Sequence, residues 1–259
     1  MRLKEPRKHN TADDAKSSVR KGISRRGFLK LAILASAIAV VGEPLTTYAS
    51  EQLLPWLHIS RERAPVKKVG PEYYEGSSTH EWAMVIDLTK CIACGACIDA
   101  CSRENSRFLG VEVPLGARTR IVFREINGKR VPMHLICQHC SPAPCVEVCP
   151  TGASIKRKDG IVLIDYDLCI GCKYCMSACP YGARYVNGGL SAVDKCTFCA
   201  HRVDKGLKPA CVEACPVGAR IFGDLKDPNS EVSKLVKSGK AVKIKALPDI
   251  EPHVYYILP

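Results

Sequence analysis

After residue 50 the apolar residues of this chain come in short runs, each closed by a turn or a cysteine. Met84-Val-Ile-Asp-Leu-Thr-Lys-Cys91 has this form, and Val162-Leu-Ile-Asp-Tyr-Asp-Leu-Cys169 repeats it. Both predict a strand that delivers the backbone into a cysteine-bearing loop. Ile121-Val122-Phe123 and Ile161 to Ile164 predict further short strands. Toward the C-terminus the pattern predicts a short helix near Ser230 to Val236, then strands near Val242-Lys-Ile and Val254 to Leu258. The fold class expected is α+β. No run after residue 50 is long and apolar enough to span a bilayer as a helix, which takes about 20 residues.

The longest apolar run lies earlier, from Leu31 to Gly42, and is also too short to span. Ser24-Arg25-Arg26-Gly27-Phe28-Leu29-Lys30 precedes it and fits the twin-arginine export pattern at every position. Thr47-Tyr48-Ala49 follows as a small-x-Ala cleavage site. Residues 1–49 are therefore expected to be a twin-arginine signal peptide and 50–80 an N-terminal arm. The address predicts a peripheral position on the extracytoplasmic (periplasmic) face of the cytoplasmic membrane.

Composition changes this picture through cysteine. All sixteen cysteines fall between Cys91 and Cys215, in four groups of four. Motif one is Cys91-x2-Cys94-x2-Cys97-x3-Cys101, and motif two is Cys137-x2-Cys140-x4-Cys145-x3-Cys149. Motif three, Cys169-x2-Cys172-x2-Cys175-x3-Cys179, restores the short spacing. Motif four, Cys196-x2-Cys199-x11-Cys211-x3-Cys215, stretches one gap. Proline follows motifs two, three and four, while Ser102 follows motif one. Cys-Pro-x-Gly-Ala recurs at 149–153, 179–183 and 215–219, where glycine permits a sharp turn after each run.

Three closely spaced cysteines let a looping backbone wrap three corners of one iron–sulfur cube. The fourth, near the start of a short helix, points to a second cube, as in bacterial two-cluster ferredoxins. Four [4Fe–4S] clusters are thus expected. Disulfides throughout would need eight disjoint bridges among cysteines too close within a motif to pair. Structural zinc uses paired C-x2-C but does not call for a third cysteine and a fourth before proline. Covalent haem needs histidine directly after C-x2-C, and His201 comes one place late. A cysteine-rich exported protein ordinarily builds disulfides, but the twin-arginine route carries proteins already folded around their cofactors.

The net charge of +12 invites a nucleic-acid reading. Residues 1–49 hold ten of the 38 Lys/Arg and four of the 26 Asp/Glu, so the signal segment takes +6 and the remainder has +6. Sixteen thiolates on four oxidised cubes add roughly −8, which brings the body near −2. The basic residues compensate anionic clusters, and no nucleic-acid partner is expected. No nucleophile–base arrangement, phosphate loop or GxGxxG is present either, so no catalytic residue is assigned.

From Trp82 to about Asp224, over half the chain, the sequence resembles the iron–sulfur electron-transfer subunits of dimethyl-sulfoxide-reductase-type membrane complexes. The polysulfide, tetrathionate and formate-dependent nitrite reductase branches are nearest. The resemblance rests on the cysteine order, on Cys-Pro-Tyr-Gly-Ala-Arg at 179–184 and on Asp-Lys-Cys at 194–196. It implies two pseudo-symmetric 2[4Fe–4S] ferredoxin-like modules, 81–130 with 190–224 and 131–189, followed by an irregular C-terminal arm at 225–259. It also implies the ligand sets. Set a is Cys91, Cys94, Cys97 and Cys215. Set b is Cys101, Cys196, Cys199 and Cys211. Set c is Cys137, Cys140, Cys145 and Cys179. Set d is Cys149, Cys169, Cys172 and Cys175.

The partners implied are a molybdopterin-type catalytic subunit and a polytopic membrane subunit that exchanges electrons with quinone. Two other readings stay open from the residues: a free-standing exported polyferredoxin, and a cluster enzyme with an open coordination site. The terminal arms either pack across the modules or dock partners. Lys90 and Lys195 each precede a first cysteine and either tune a cluster or are simply solvated. His201, Arg202, Lys205 and Lys208 either steer an acidic partner or form a solvated loop. His139 lies between two ligands but is not expected to be one.

Overall fold

The computed structural model describes residues 67–126 and 128–259. The twin-arginine segment and the N-terminal arm before residue 67 lie outside the described residues. The first elements in chain order are α1 (Glu72–Glu75), β1 (Trp82–Asp87), α2 (Ala96–Leu109), β2 (Thr119–Ile126), β3 (Lys129–Ile136), α3 (Pro144–Glu147), β4 (Ser154–Lys156) and β5 (Val162–Ile164). They are followed by α4 (Tyr174–Ser177), β6 (Tyr185–Asn187), β7 (Ala192–Asp194), α5 (Ala200–Val203), α6 (Ala210–Glu213), β8 (Arg220–Asp224), α7 (Glu231–Lys237), β9 (Val242–Lys243) and β10 (Val254–Ile257).

Strand β1 reads as a continuous apolar run because both its faces are covered. It pairs antiparallel with β8 and parallel with β10, in a sheet ordered β8-β1-β10-β9. The two-residue period of the strand then divides its side chains. Met84 and Ile86 join Val254 and Tyr256 in a core that also contains Cys97, Cys137, Cys196 and Cys211. Ala83 and Val85 face the other way and pack with Val232 of α7 and Tyr255. A second core gathers Leu109, Val162, Ile164, Leu190 and Val193 around Cys145, Cys169 and Cys175.

The remaining strands form three antiparallel hairpins, β2–β3, β4–β5 and β6–β7. Each cysteine motif is entered from a strand: β1 leads to motif one, β3 to two, β5 to three and β7 to four. The α+β class and the repeated strand–loop–helix unit follow the sequence pattern. The module boundaries are less clean than expected. The one at 130/131 cuts through β3, and the one at 189/190 falls in the turn of the β6–β7 hairpin. The two modules interlock through paired strands.

The C-terminal segment 225–259 is not an irregular arm. Its helix and two strands appear where the pattern put them, and β10 lies inside the main sheet. Beyond the sheet, the segment is tied to the loop of motif two. The backbone N–H of His253 donates to the Gln138 carbonyl at 2.8 Å, and Ser141 bridges Glu251. The Tyr256 hydroxyl donates to the His134 carbonyl at 3.1 Å. Of the two roles left open for this segment, it packs.

Candidate metal centres

In all four motifs the residue just before the second cysteine has a positive φ: Ala93 (56°), His139 (47°), Gly171 (68°) and Phe198 (52°). Three of these carry side chains, for which the left-handed region is strained. Such a turn aims successive backbone N–H groups into one concavity, the geometry that receives an anion. The strain recurs because the wrapping of each loop demands it.

A helix follows each loop, and here the expectation needs correction. The third cysteine, not the fourth, sits in the short helix: Cys145 in α3, Cys175 in α4 and Cys211 in α6. Cys149, Cys179 and Cys215 come just after those helices end, and Pro150, Pro180 and Pro216 prevent their continuation. Motif one has Ser102 in that position, and its helix α2 runs on to Leu109 with both Cys97 and Cys101 inside it. The Ser102 hydroxyl donates to the Val113 carbonyl at 2.6 Å. One residue thus separates a four-residue helix from a fourteen-residue one.

The loops bring the cysteines together across motifs. Cys91, Cys94, Cys97 and Cys215 line one cleft. The Cys101 thiol is pushed well up by burial, and Cys196, Cys211 and Cys199 add to the effect. Burial likewise drives Cys140 up to about 12, with Cys137, Cys145 and Cys179 as the next causes. Cys175 is raised by burial against the pull of Arg184, with Cys169 and Cys149 beside it. Cys172 is exposed at the tip of its loop. So many converging thiolates are unfavourable unless positive metal holds them. Among the described residues, no three Cys, His, Asp or Glu side chains stand close enough to share a single metal ion. That spacing suits a bulky metal–sulfur cube and not one tetrahedral zinc.

Buried cations provide the second test of fit. Five Arg or Lys side chains are buried among the described residues: Arg118, Arg157, Arg184, Lys195 and Arg220. Arg118 pairs with Asp194, and Arg157 with Asp159 and Asp204. Arg184, Lys195 and Arg220 have no carboxylate partner among the described residues, yet each lies beside cysteines. Nε and Nη1 of Arg184 and Nε of Arg220 also lack hydrogen-bond partners. An unpaired buried charge is very costly, so anionic clusters are the counter-charge these groups require. His139 adds another donor. Its Nδ1 accepts the Val162 N–H at 2.9 Å, which leaves the proton on the buried, unpartnered Nε2. The residues present fit [4Fe–4S] groups.

The other residues read from the sequence divide. Lys195 is fully buried, and its Nζ donates to the carbonyls of Val162 and Cys196. Lys90 is exposed and pairs with Asp87 at 3.7 Å. His201 stacks on Phe108 and meets Glu104 at 3.0 Å, and Arg202 bridges Glu104 and Glu213. Only Lys205 and Lys208 of that loop are exposed cations. Sequence reasoning missed Arg220, whose signal was the arginine that closes two of the three Cys-Pro-x-Gly-Ala repeats. It also missed Asn105, whose amide donates to the Cys101 carbonyl at 2.8 Å and reaches the sulfurs of Cys101 and Cys199. No local pattern marks that residue.

Two family models, each a 4Fe-4S dicluster domain, match residues 131–225 and 83–150. An iron–sulfur-family subunit of the tetrathionate reductase of Salmonella typhimurium is 45% identical over 196 residues, 72% of this chain and 76% of that protein. The arsenate respiratory reductase iron–sulfur subunit ArrB of a Shewanella species is 40% identical, over 67% of this chain and 94% of its own length. Protein NrfC of Escherichia coli is 42% identical, over 68% and 80% respectively. The chain therefore belongs to the family of iron–sulfur electron-transfer subunits of multi-subunit reductases of the dimethyl sulfoxide, tetrathionate and arsenate type, built on 4Fe–4S dicluster domains.

Proposed function

We propose that the four clusters of this subunit are held by sets a, b, c and d as defined above, and that the sets form a line in that order. Each cube, when bound, takes up and returns one electron; the chain holds, shields and orders the four. The adjacency of the sets carries this reading. Cys97 of set a has Cys211 of set b among its nearest charged neighbours, and Cys196 of set b has Cys137 of set c. Arg184 lies beside both Cys145 of set c and Cys175 of set d. Of the sixteen cysteines only Cys94 and Cys172 are exposed, and they belong to the two end sets.

Exposed apolar side chains flank both ends: Ile92 next to Cys91, and Ile170 and Tyr174 around Cys172. Patches of this kind suit protein interfaces. We assign them to a molybdopterin-type catalytic subunit and a polytopic quinone-reactive membrane subunit. Among the described residues no helix is long and apolar enough to cross a membrane, so attachment runs through the partner. The twin-arginine segment supports assembly at the extracytoplasmic face.

Mild detergent extraction followed by affinity purification tests the proposal. The chain is expected to emerge with a polytopic membrane protein and a larger catalytic subunit. It should carry about sixteen irons and as many labile sulfides, four per cube. Recovery of the iron-loaded chain alone would favour a free-standing carrier.

A further inference from the structure

The three buried cations without carboxylate partners are not scattered. Arg220 is 2% exposed, and burial works against its charge. Cys211, Cys97 and Cys101 outweigh that, so its neighbours come from sets a and b together. Lys195 is fully buried, and the cysteines nearest it include Cys196 of set b with Cys137 and Cys145 of set c. Arg184 is 6% exposed, with Cys145 and Cys137 of set c on one side and Cys175 of set d on the other. Each junction between consecutive sets therefore holds one cation.

The two arginines are built into the fold in the same way. Each follows a Cys-Pro-x-Gly-Ala turn, Arg184 immediately before β6 and Arg220 as the first residue of β8. Each is held through Nη2 by a hydroxyl on the first residue of a hairpin strand. Arg184 donates to Ser154 of β4 at 2.7 Å, and Arg220 to Thr119 of β2 at 2.8 Å. Arg184 also donates directly to the Cys145 sulfur at 2.9 Å. Lys195 is fixed differently, by the carbonyls of Val162 and Cys196, at the one junction that joins the two modules.

We propose that Arg220, Lys195 and Arg184 are positioning residues, one in each gap of the a–b–c–d line, and that each raises the reduction potentials of the two cubes it separates. The inference rests on the ligand sets proposed above. A fixed positive charge between two cubes favours the more negative, reduced state of both. Its placement in a low-dielectric interior makes the effect larger than a surface lysine would give. An electron leaving one cube for the next then stays beside the same cation, so the gap presents no uncompensated charge.

Redox titration of the full chain, followed by electron paramagnetic resonance, tests this through its pairwise pattern. Arg220→Gln, Lys195→Met and Arg184→Gln should each lower two of the four midpoint potentials. Lys195→Met should share one cube with each of the other variants, and the two arginine variants should share none. Arg220→Lys and Arg184→Lys, which keep the charge, should recover part of each fall. A variant that keeps its iron but moves no potential, or one cube only, would overturn the proposal. So would two arginine variants that move the same cube. Where an uncharged arginine variant loses iron, Thr119→Ala or Ser154→Ala loosens the same guanidinium and should give smaller falls in the same pair; unchanged potentials there would count equally against it. For Lys195 the charge-keeping Lys195→Arg replaces a variant that loses iron, and a fall in both potentials despite the retained charge would argue against the assignment. Wild-type protein lacking about sixteen irons would instead refute the four-cube reading beneath it.

Discussion

The Nε2 atom of His134 lies 3.1 Å from the sulfur of Cys91, and the proton between them belongs to the histidine. Arg220 fixes this. Its Nη2 stands 2.7 Å from His134 Nδ1, and a guanidinium can only donate, so Nδ1 accepts and Nε2 carries the hydrogen. Burial, then the charge of Arg220, holds the imidazole down at about 3, so it is a neutral donor. An N–H directed at a ligand sulfur favours the reduced cube. His134→Leu should therefore lower the potential of the cube held by set a and leave the set d potential unchanged. A differential of about 1 kcal/mol corresponds to a fall of about 40 mV for one electron. Spectroscopic redox titration checks both the size and the confinement of the shift.

Ser102→Pro should convert the long helix of motif one toward the short form of the other three. Proline at this interior position removes one i→i−4 hydrogen bond and clashes with the preceding turn, a cost of about 3 kcal/mol. It would also disturb Asn105, one turn further on, which reaches the sulfurs of Cys101 and Cys199. Chemical denaturation should show the loss, and the set b signals should broaden or shift. Stability equal to that of wild type would show that the helix beyond Cys101 contributes little.

Much of this was legible because cysteine spacing and hairpin patterning are local. The strand into motif one, the repeat of that unit and the C-terminal helix and strands all follow from residues within a few positions of one another. What was not legible depends on distant partners. Lys90 and Lys195 have the same position relative to a first cysteine, yet one is solvated and the other enclosed by β5 and the loop of motif four. Sequence cannot separate them, because burial is decided by what packs above. The same holds for β10, whose apolar run was clear but whose place between β1 and β9 was not. Ser102 was noticed as a departure from proline, but its consequence for α2 needed the helix itself.

Cys101→Ser tests the crossing of ligands between motifs. Cys101 belongs to motif one, but the sulfurs that bear on it are those of Cys196, Cys211 and Cys199. The substitution should damage the cube held with those three, with iron falling by up to about four atoms. The cube held by Cys91, Cys94, Cys97 and Cys215 should persist, with its spectrum unchanged. Loss of that cube instead would mean that the runs are closed on themselves.

Removal of residues 225–259 should do more than detach a partner. The segment carries β10, hydrogen-bonded to β1 on one side and β9 on the other, and Val254, Tyr255 and Tyr256 are all buried. It also carries α7, whose Val232 covers the face of β1 opposite the clusters. Truncation after Asp224 would expose both that face and an edge of β1, so the product should be poorly soluble and poor in iron. Val254→Ala is the milder probe, with an expected loss of about 2 kcal/mol from a fully enclosed position. Glu251→Gln is the control within the same segment. Its carboxyl is held down to about 2 by hydrogen bonds from Lys243 and Lys245. That pairing is present above pH 4.5 and lost as pH falls toward 2, but it lies at the surface, where such pairs contribute little. Its replacement should leave iron content and solubility unchanged at neutral pH. A soluble truncated chain with all four cubes would show instead that the sheet closes without β10, and would return 225–259 to the role of a docking arm.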